Sequence, residues 1–90
     1  MDVDILYSQS AFKHGCTEAD IRHAFKTRKY DSIIEDGPLI DKNLLIGFDR
    51  NANLIEILYN VIDDDTVKVF HAMKCPDKFL ALLNNGSNYA

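Results

Sequence analysis

The chain has little of several features that mark common protein classes. It holds two cysteines, Cys16 and Cys75, in 90 residues, too few for a disulfide-built scaffold. No apolar run approaches the roughly 18–20 residues of a membrane span. Met1 to Leu6 carries Asp2 and Asp4 where a signal peptide has a basic stretch, and no apolar segment of signal length follows. A cytoplasmic protein with two reduced thiols is the expectation. Neither a solenoid repeat nor a low-complexity segment is present. The phosphate-binding GxxxxGK and the GxGxxG, GxSxG and HExxH motifs are all missing.

Positive charge is scarce as well. Ten Lys and Arg stand against fourteen Asp and Glu, giving a net charge of −4. The balance is uneven: residues 1–30 carry +1, residues 31–66 carry −7 and residues 67–90 carry +2. A wholesale electrostatic nucleic-acid binder has the opposite overall sign. An acidic middle between two mildly basic ends still leaves room for a small positive cleft.

What is present is an ordinary globular composition, 47% hydrophobic and 27% charged, which argues against disorder. The length allows one domain. Residues 1–84 are expected to form it, with the polar residues 85–90 as a disordered tail. Ser8 is a candidate cap for a short helix over 8–14 that Gly15 ends. Thr17 caps a second helix reaching Lys29, whose Ile21, Ala24 and Phe25 share a core face. The period then changes to two. Asp31–Asp36 is a short strand broken by Gly37-Pro38. Asn43–Asp49, Leu54–Val61 and Thr66–Met73 are strands joined by the turns Arg50–Asn53 and Asp63–Asp65. Pro76 fits the first turn of a closing helix that carries Phe79, Leu80, Leu82 and Leu83. This order predicts an α+β fold: an antiparallel sheet of about four strands, with two N-terminal helices and one C-terminal helix on one face.

Three segments carry residues suited to chemistry. Lys13-His14-Gly15 presents a basic pair at a tight turn, or is a glycine cap with its dipole-compensating cations. Phe70-His71-Ala72-Met73-Lys74 ends the last strand. There His71, expected on the face of Val67 and Val69, can exchange a proton near neutral pH, and Lys74 can meet a phosphate. Arg50 can fork onto phosphate oxygens or pair with Asp49 in its turn. Asp63-Asp64-Asp65 lacks the ligand spacing of a calcium loop and reads as a solvated turn. His14-x-Cys16 with His71-x-x-x-Cys75 offers a two-His, two-Cys zinc set, but the HxC spacing is unusual and both thiols can serve as small apolar fillers.

Taken in order, Ala11-Phe12-Lys13-His14-Gly15, the helix from Thr17, Leu45-Ile46-Gly47-Phe48-Asp49, Asn53 to Ile57, and Val69 to Lys74 resemble the BrnT-like toxins of bacterial type II toxin–antitoxin pairs. These fall within the wider RelE-like group. The likeness covers roughly residues 7–83. It implies a compact α+β toxin with a curved antiparallel sheet. It also implies RNA cleavage without metal or cofactor, and neutralisation by an antitoxin that often carries a ribbon-helix-helix segment. By position, Lys13 and His14 match the KHG turn, Arg50 falls near the basic hairpin position, and His71 and Lys74 match the last-strand ending. Metal-free cleavage of this kind uses the neighbouring 2′-OH as nucleophile. It needs a base, an acid and cations around the phosphorane. His71 and His14 are the expected proton carriers, and Lys13, Arg50 and Lys74 the expected phosphate stabilisers. Tyr59 is poorly matched as an acid. The other expectation is a non-catalytic module of the same fold, its acidic middle docking a basic partner. Open sheet edges also allow a homodimer.

Overall fold

The computed structural model describes residues 3–35 and 41–87. The strands are β1 (Asp4–Tyr7), β2 (Tyr30–Glu35), β3 (Lys42–Phe48), β4 (Leu54–Asp63) and β5 (Thr66–Lys74), and the helices are α1 (Glu18–Lys26) and α2 (Asp77–Ser87). One turn of 3₁₀ helix, Gln9–Phe12, lies between β1 and α1. The sheet order is β1-β5-β4-β3-β2. Four strands pair antiparallel and β1 pairs parallel to β5. The fold is α+β, as the sequence predicts.

Three details differ from the expectation. The described sheet has five strands and is mixed, because the first residues form an edge strand. Asp4, Ile5, Leu6 and Tyr7 lie opposite Thr66, Val67, Lys68 and Val69. The segment expected to be a first helix is the single 3₁₀ turn, too short for a run of α-type hydrogen bonds. So one α-helix precedes the sheet's antiparallel part, not two. The sheet is also covered on both faces: β3 is buried from Asn43 to Gly47 without alternation. The expected Gly37-Pro38 break and residues 88–90 of the tail lie outside the described residues. α2 runs to Ser87, past the boundary drawn at residue 84.

α1 forms for the reasons its sequence gives. Thr17 and Asp20 make a reciprocal cap, each backbone N–H donating to the other's side chain at 3.1 Å. Ile21, Ala24 and Phe25 then fall on one face and are buried. Burying a side chain of the Ile or Phe class stabilises by about 1.5–3 kcal/mol. They meet Leu45, Ile57, Tyr59, Val69 and Ala72 from the sheet. At Gly47 the helix lies so close that a β-carbon would overlap the carbonyl of Ala24. The helix end is tied to β3 through Thr27: its hydroxyl donates to His23, and Phe48 N–H donates to that hydroxyl at 3.0 Å.

Leu44 and Ile46 point away from α1 and are also buried. α2 is the described element left to cover that face. It follows β5 in the chain and contacts β2, three strands away in the sheet. Its 11 residues span about 16 Å, enough for three strand spacings of about 4.8 Å.

Candidate functional site

The chemistry-bearing residues are positioned by an irregularity in β5. Tyr59 pairs with Val69, but the next residue of β4, Leu58, pairs with His71. Phe70 is therefore extra, and the strand bulges there. Beyond the bulge the alternation changes sides. Ala72 and Lys74, opposite Ile57 and Ile55, take the α1 face. His71 turns to the other face with Leu58, Glu56 and Met73, not to the face of Val67 and Val69 that simple alternation predicts.

The same bulge holds the N-terminal segment. Ser8 N–H and hydroxyl both donate to the carbonyl of Val69, at 2.9 and 3.1 Å. The Ser10 hydroxyl donates to the carbonyl of Phe70 at 2.6 Å. These bonds dock the 3₁₀ turn on β5, and the chain reaches Gly15, at φ +90°, a conformation that costs glycine little. His14 is brought onto His71 as a result. Their ring centroids are 5.5 Å apart and the planes meet at 70°.

Behind His71 lies Glu56. Its carboxylate Oε1 is 3.9 Å from His71 Nε2, and the two side chains are 9% and 26% exposed. A carboxylate this buried requires a compensating partner, and the His71 imidazole lies 3.9 Å away. His14 is exposed. The row Glu56–His71–His14 therefore runs from the sheet to solvent. Sequence reasoning did not single out Glu56. The available signal was a lone acid between Leu54 and Leu58 on one strand face.

The other expected site residues are dispersed around this row. Lys13 is exposed and caps the 3₁₀ turn directly before His14. Lys74 is exposed, but it stands on the opposite sheet face from His71. Arg50 sits with α1: its backbone N–H donates to Asp20 Oδ1 at 3.1 Å. With Ala19, Arg22, His23 and Lys26 it lines an open groove of about 220 Å³. Ala19, Arg22, His23 and Lys26 have i, i+3, i+4, i+7 spacing, the rule that identifies the core face. It marks a second, basic stripe here.

Several nearby groups are structural. The Tyr59 hydroxyl donates to Asp31 at 2.6 Å, and its ring packs edge-on against Phe25. Burial, then the hydrogen bond and the charge of Asp31, raise its pKa far above the ordinary tyrosine value, which makes it a weaker proton donor than a free tyrosine. Asp31 is also bridged by Arg28 at 2.8 Å. Burial comes first in raising both thiol pKa values, with Asp20 and Asp49 adding to it at Cys16 and Glu56 and Asp77 at Cys75. Among the described residues no group of three or more His, Cys, Asp or Glu is arranged to hold a metal, and the zinc set suggested by spacing does not assemble. No helix among them is long and apolar enough to cross a membrane.

The fold and these contacts stand on the chain alone, since no protein-family model, curated protein or solved structure matches it.

Proposed function

We propose that the chain is the toxin of a toxin–antitoxin pair, a metal-independent ribonuclease whose acid and base are His14 and His71. The contact of these two rings beside the buried Glu56 carries the reading. Two imidazoles on one surface can handle the two protons that RNA cleavage moves. The carboxylate can orient His71 and balance its charge, as an acid does for a catalytic imidazole elsewhere. Because the rings touch, the substrate lies against their open side instead of between them.

The steps balance without a metal. His71 takes the proton of the 2′-OH, and O2′ attacks phosphorus. The bond from phosphorus to O5′ breaks as His14 gives O5′ a proton. The products are a 2′,3′-cyclic phosphate and a 5′-OH. Lys13, beside His14, supplies charge to the phosphorane. Lys74, on the other face of the sheet, serves bound RNA at a distance from the reacting phosphate.

Purified protein should cleave RNA in the presence of a chelator, leave cyclic phosphate ends, and spare an oligonucleotide whose cleavage positions are 2′-deoxy. Intact RNA under these conditions, together with harmless expression in bacteria, removes the reading.

A second role is supported by the edge strand β2, where Ile33 and Ile34 are 51% and 50% exposed. An apolar pair on an open edge invites a partner. The cognate antitoxin is placed here, against the acidic middle of the chain. Ile33→Lys with Ile34→Lys should abolish complex formation with the product of the adjacent gene while sparing RNA cleavage. An unchanged complex removes this placement.

A further inference from the structure

We infer that the groove between α1 and the β3–β4 turn is a binding track for the phosphate backbone of single-stranded nucleic acid, separate from the histidine pair. The inference rests on the ribonuclease reading for its ligand class and adds to it the surface that grips the strand.

The groove is lined by Arg22, His23, Lys26 and Arg50, with Ala19 beside them. Three of the chain's ten Lys and Arg therefore meet in one depression of a chain with net charge −4. No carboxylate is in the lining. The acids close by each have partners, and two of them, Asp20 and Glu18, face the groove cations Arg50 and Arg22. Asp20 accepts the backbone N–H groups of Thr17 and Arg50. Asp49 accepts those of Asn51 and Asn53, at 2.8 and 2.9 Å. Glu18 meets Arg22 at 3.7 Å, with both side chains more than half exposed. An exposed pair of this kind is worth about 0–1 kcal/mol, so a phosphate can displace the carboxylate.

The geometry suits a chain of phosphates better than a single anion. Arg22 and Lys26 are one helical turn apart, about 6 Å along the axis. Arg50 faces them from the turn. Ala19 leaves the floor low where a larger side chain would fill the groove. The groove is open, as a track for a strand must be, and its lining holds no Phe, Tyr or Trp. Recognition chiefly by charge is the consequence, with His23 the one lining ring able to stack on a base.

The test uses a short fluorescent deoxyoligonucleotide, which lacks the 2′-OH and cannot be cleaved by the proposed chemistry. Its affinity is measured over about 50–200 mM salt. The wild type should bind with a steep salt dependence. Arg22→Ala with Lys26→Ala should weaken binding by about tenfold or more at the low-salt end. It should also flatten the log–log salt slope by about 1.4, the loss of two phosphate contacts. Arg22→Lys with Lys26→Arg should bind like the wild type, and so should Lys68→Ala, an exposed cation on β5. The inference is overturned if the double alanine variant keeps its affinity and slope, if Lys68→Ala loses as much, or if polyglutamate competes as well as the oligonucleotide. If the oligonucleotide binds through the groove while RNA stays intact, the track stands and the ribonuclease reading falls.

Discussion

His14 and His71 lie at opposite ends of the sequence, yet their rings meet at 5.5 Å. Two local features produce this contact. The bulge at Phe70 turns His71 away from the α1 core, and Ser8 and Ser10 hold the 3₁₀ turn to the carbonyls flanking that bulge. Removing either feature would leave two ordinary surface histidines.

In the proposed reaction Glu56, 3.9 Å from His71 and nearly buried, would act through His71 as a positioning residue. Glu56→Gln keeps its size and removes its charge. Cleavage should fall roughly tenfold or more, within the range that a well-placed proton carrier contributes, and the pH–rate profile should shift. Glu56→Asp should recover part of the rate. Unchanged rate and profile in Glu56→Gln would mean that the carboxylate only fills space.

Gly47 sets the distance between α1 and the sheet. In Gly47→Ala the new methyl meets the Ala24 backbone, which cannot rotate aside. Overpacking of this kind costs about 1–3 kcal/mol. A denaturant titration should show a lower midpoint with little change in slope.

Tyr59 is a structural residue. Tyr59→Phe removes the hydroxyl bonded to Asp31 and leaves Asp31 to Arg28, at a cost of about 0.5–1.5 kcal/mol, while cleavage persists. Its raised pKa also fixes a sign. A group whose folded pKa lies above its unfolded value stabilises below the unfolded value, about 10 for tyrosine. That contribution is lost as pH rises beyond it. The stability gap between wild type and Tyr59→Phe should therefore narrow in alkali.

Asp20 has the opposite sign. Partial burial raises its pKa, but hydrogen bonds from Thr17 and Arg50 and the Arg50 charge outweigh this and leave it below the ordinary aspartate value. Its contribution is complete above the unfolded value of about 3.9 and is lost as pH falls through the lower folded value. Thr17→Ala breaks the cap and should cost about 1 kcal/mol at neutral pH. Asp20→Asn should also destabilise there, by an amount that shrinks in acid. A destabilisation that grows in acid would contradict this assignment.

Much of the fold is legible in the sequence because its signals are local. The Thr17 cap, the core stripe of α1 and the two hairpins joining β3, β4 and β5 each rest on residues close in the chain. β1 is not legible in the same way. It is short, and it pairs in parallel with the most distant strand, so no turn announces it. The bulge at Phe70 is equally silent, and it moves His71 to the other face. The KHG and HAMK segments pick out both histidines, but their contact depends on the bulge. Glu56 and the basic stripe of α1 obey simple spacing rules on faces whose packing only the fold defines.

The central claim is that His14 and His71 work as one acid–base unit. RNA cleavage by the wild type, His14→Ala, His71→Ala and the double variant, in one assay at neutral pH with chelator present, tests it most directly. Each single variant should lose on the order of 10²–10⁴-fold, and the double variant should be little worse than either single one, as for residues that act as a unit. Single variants that cleave like the wild type, or losses that multiply in the double variant, would contradict it.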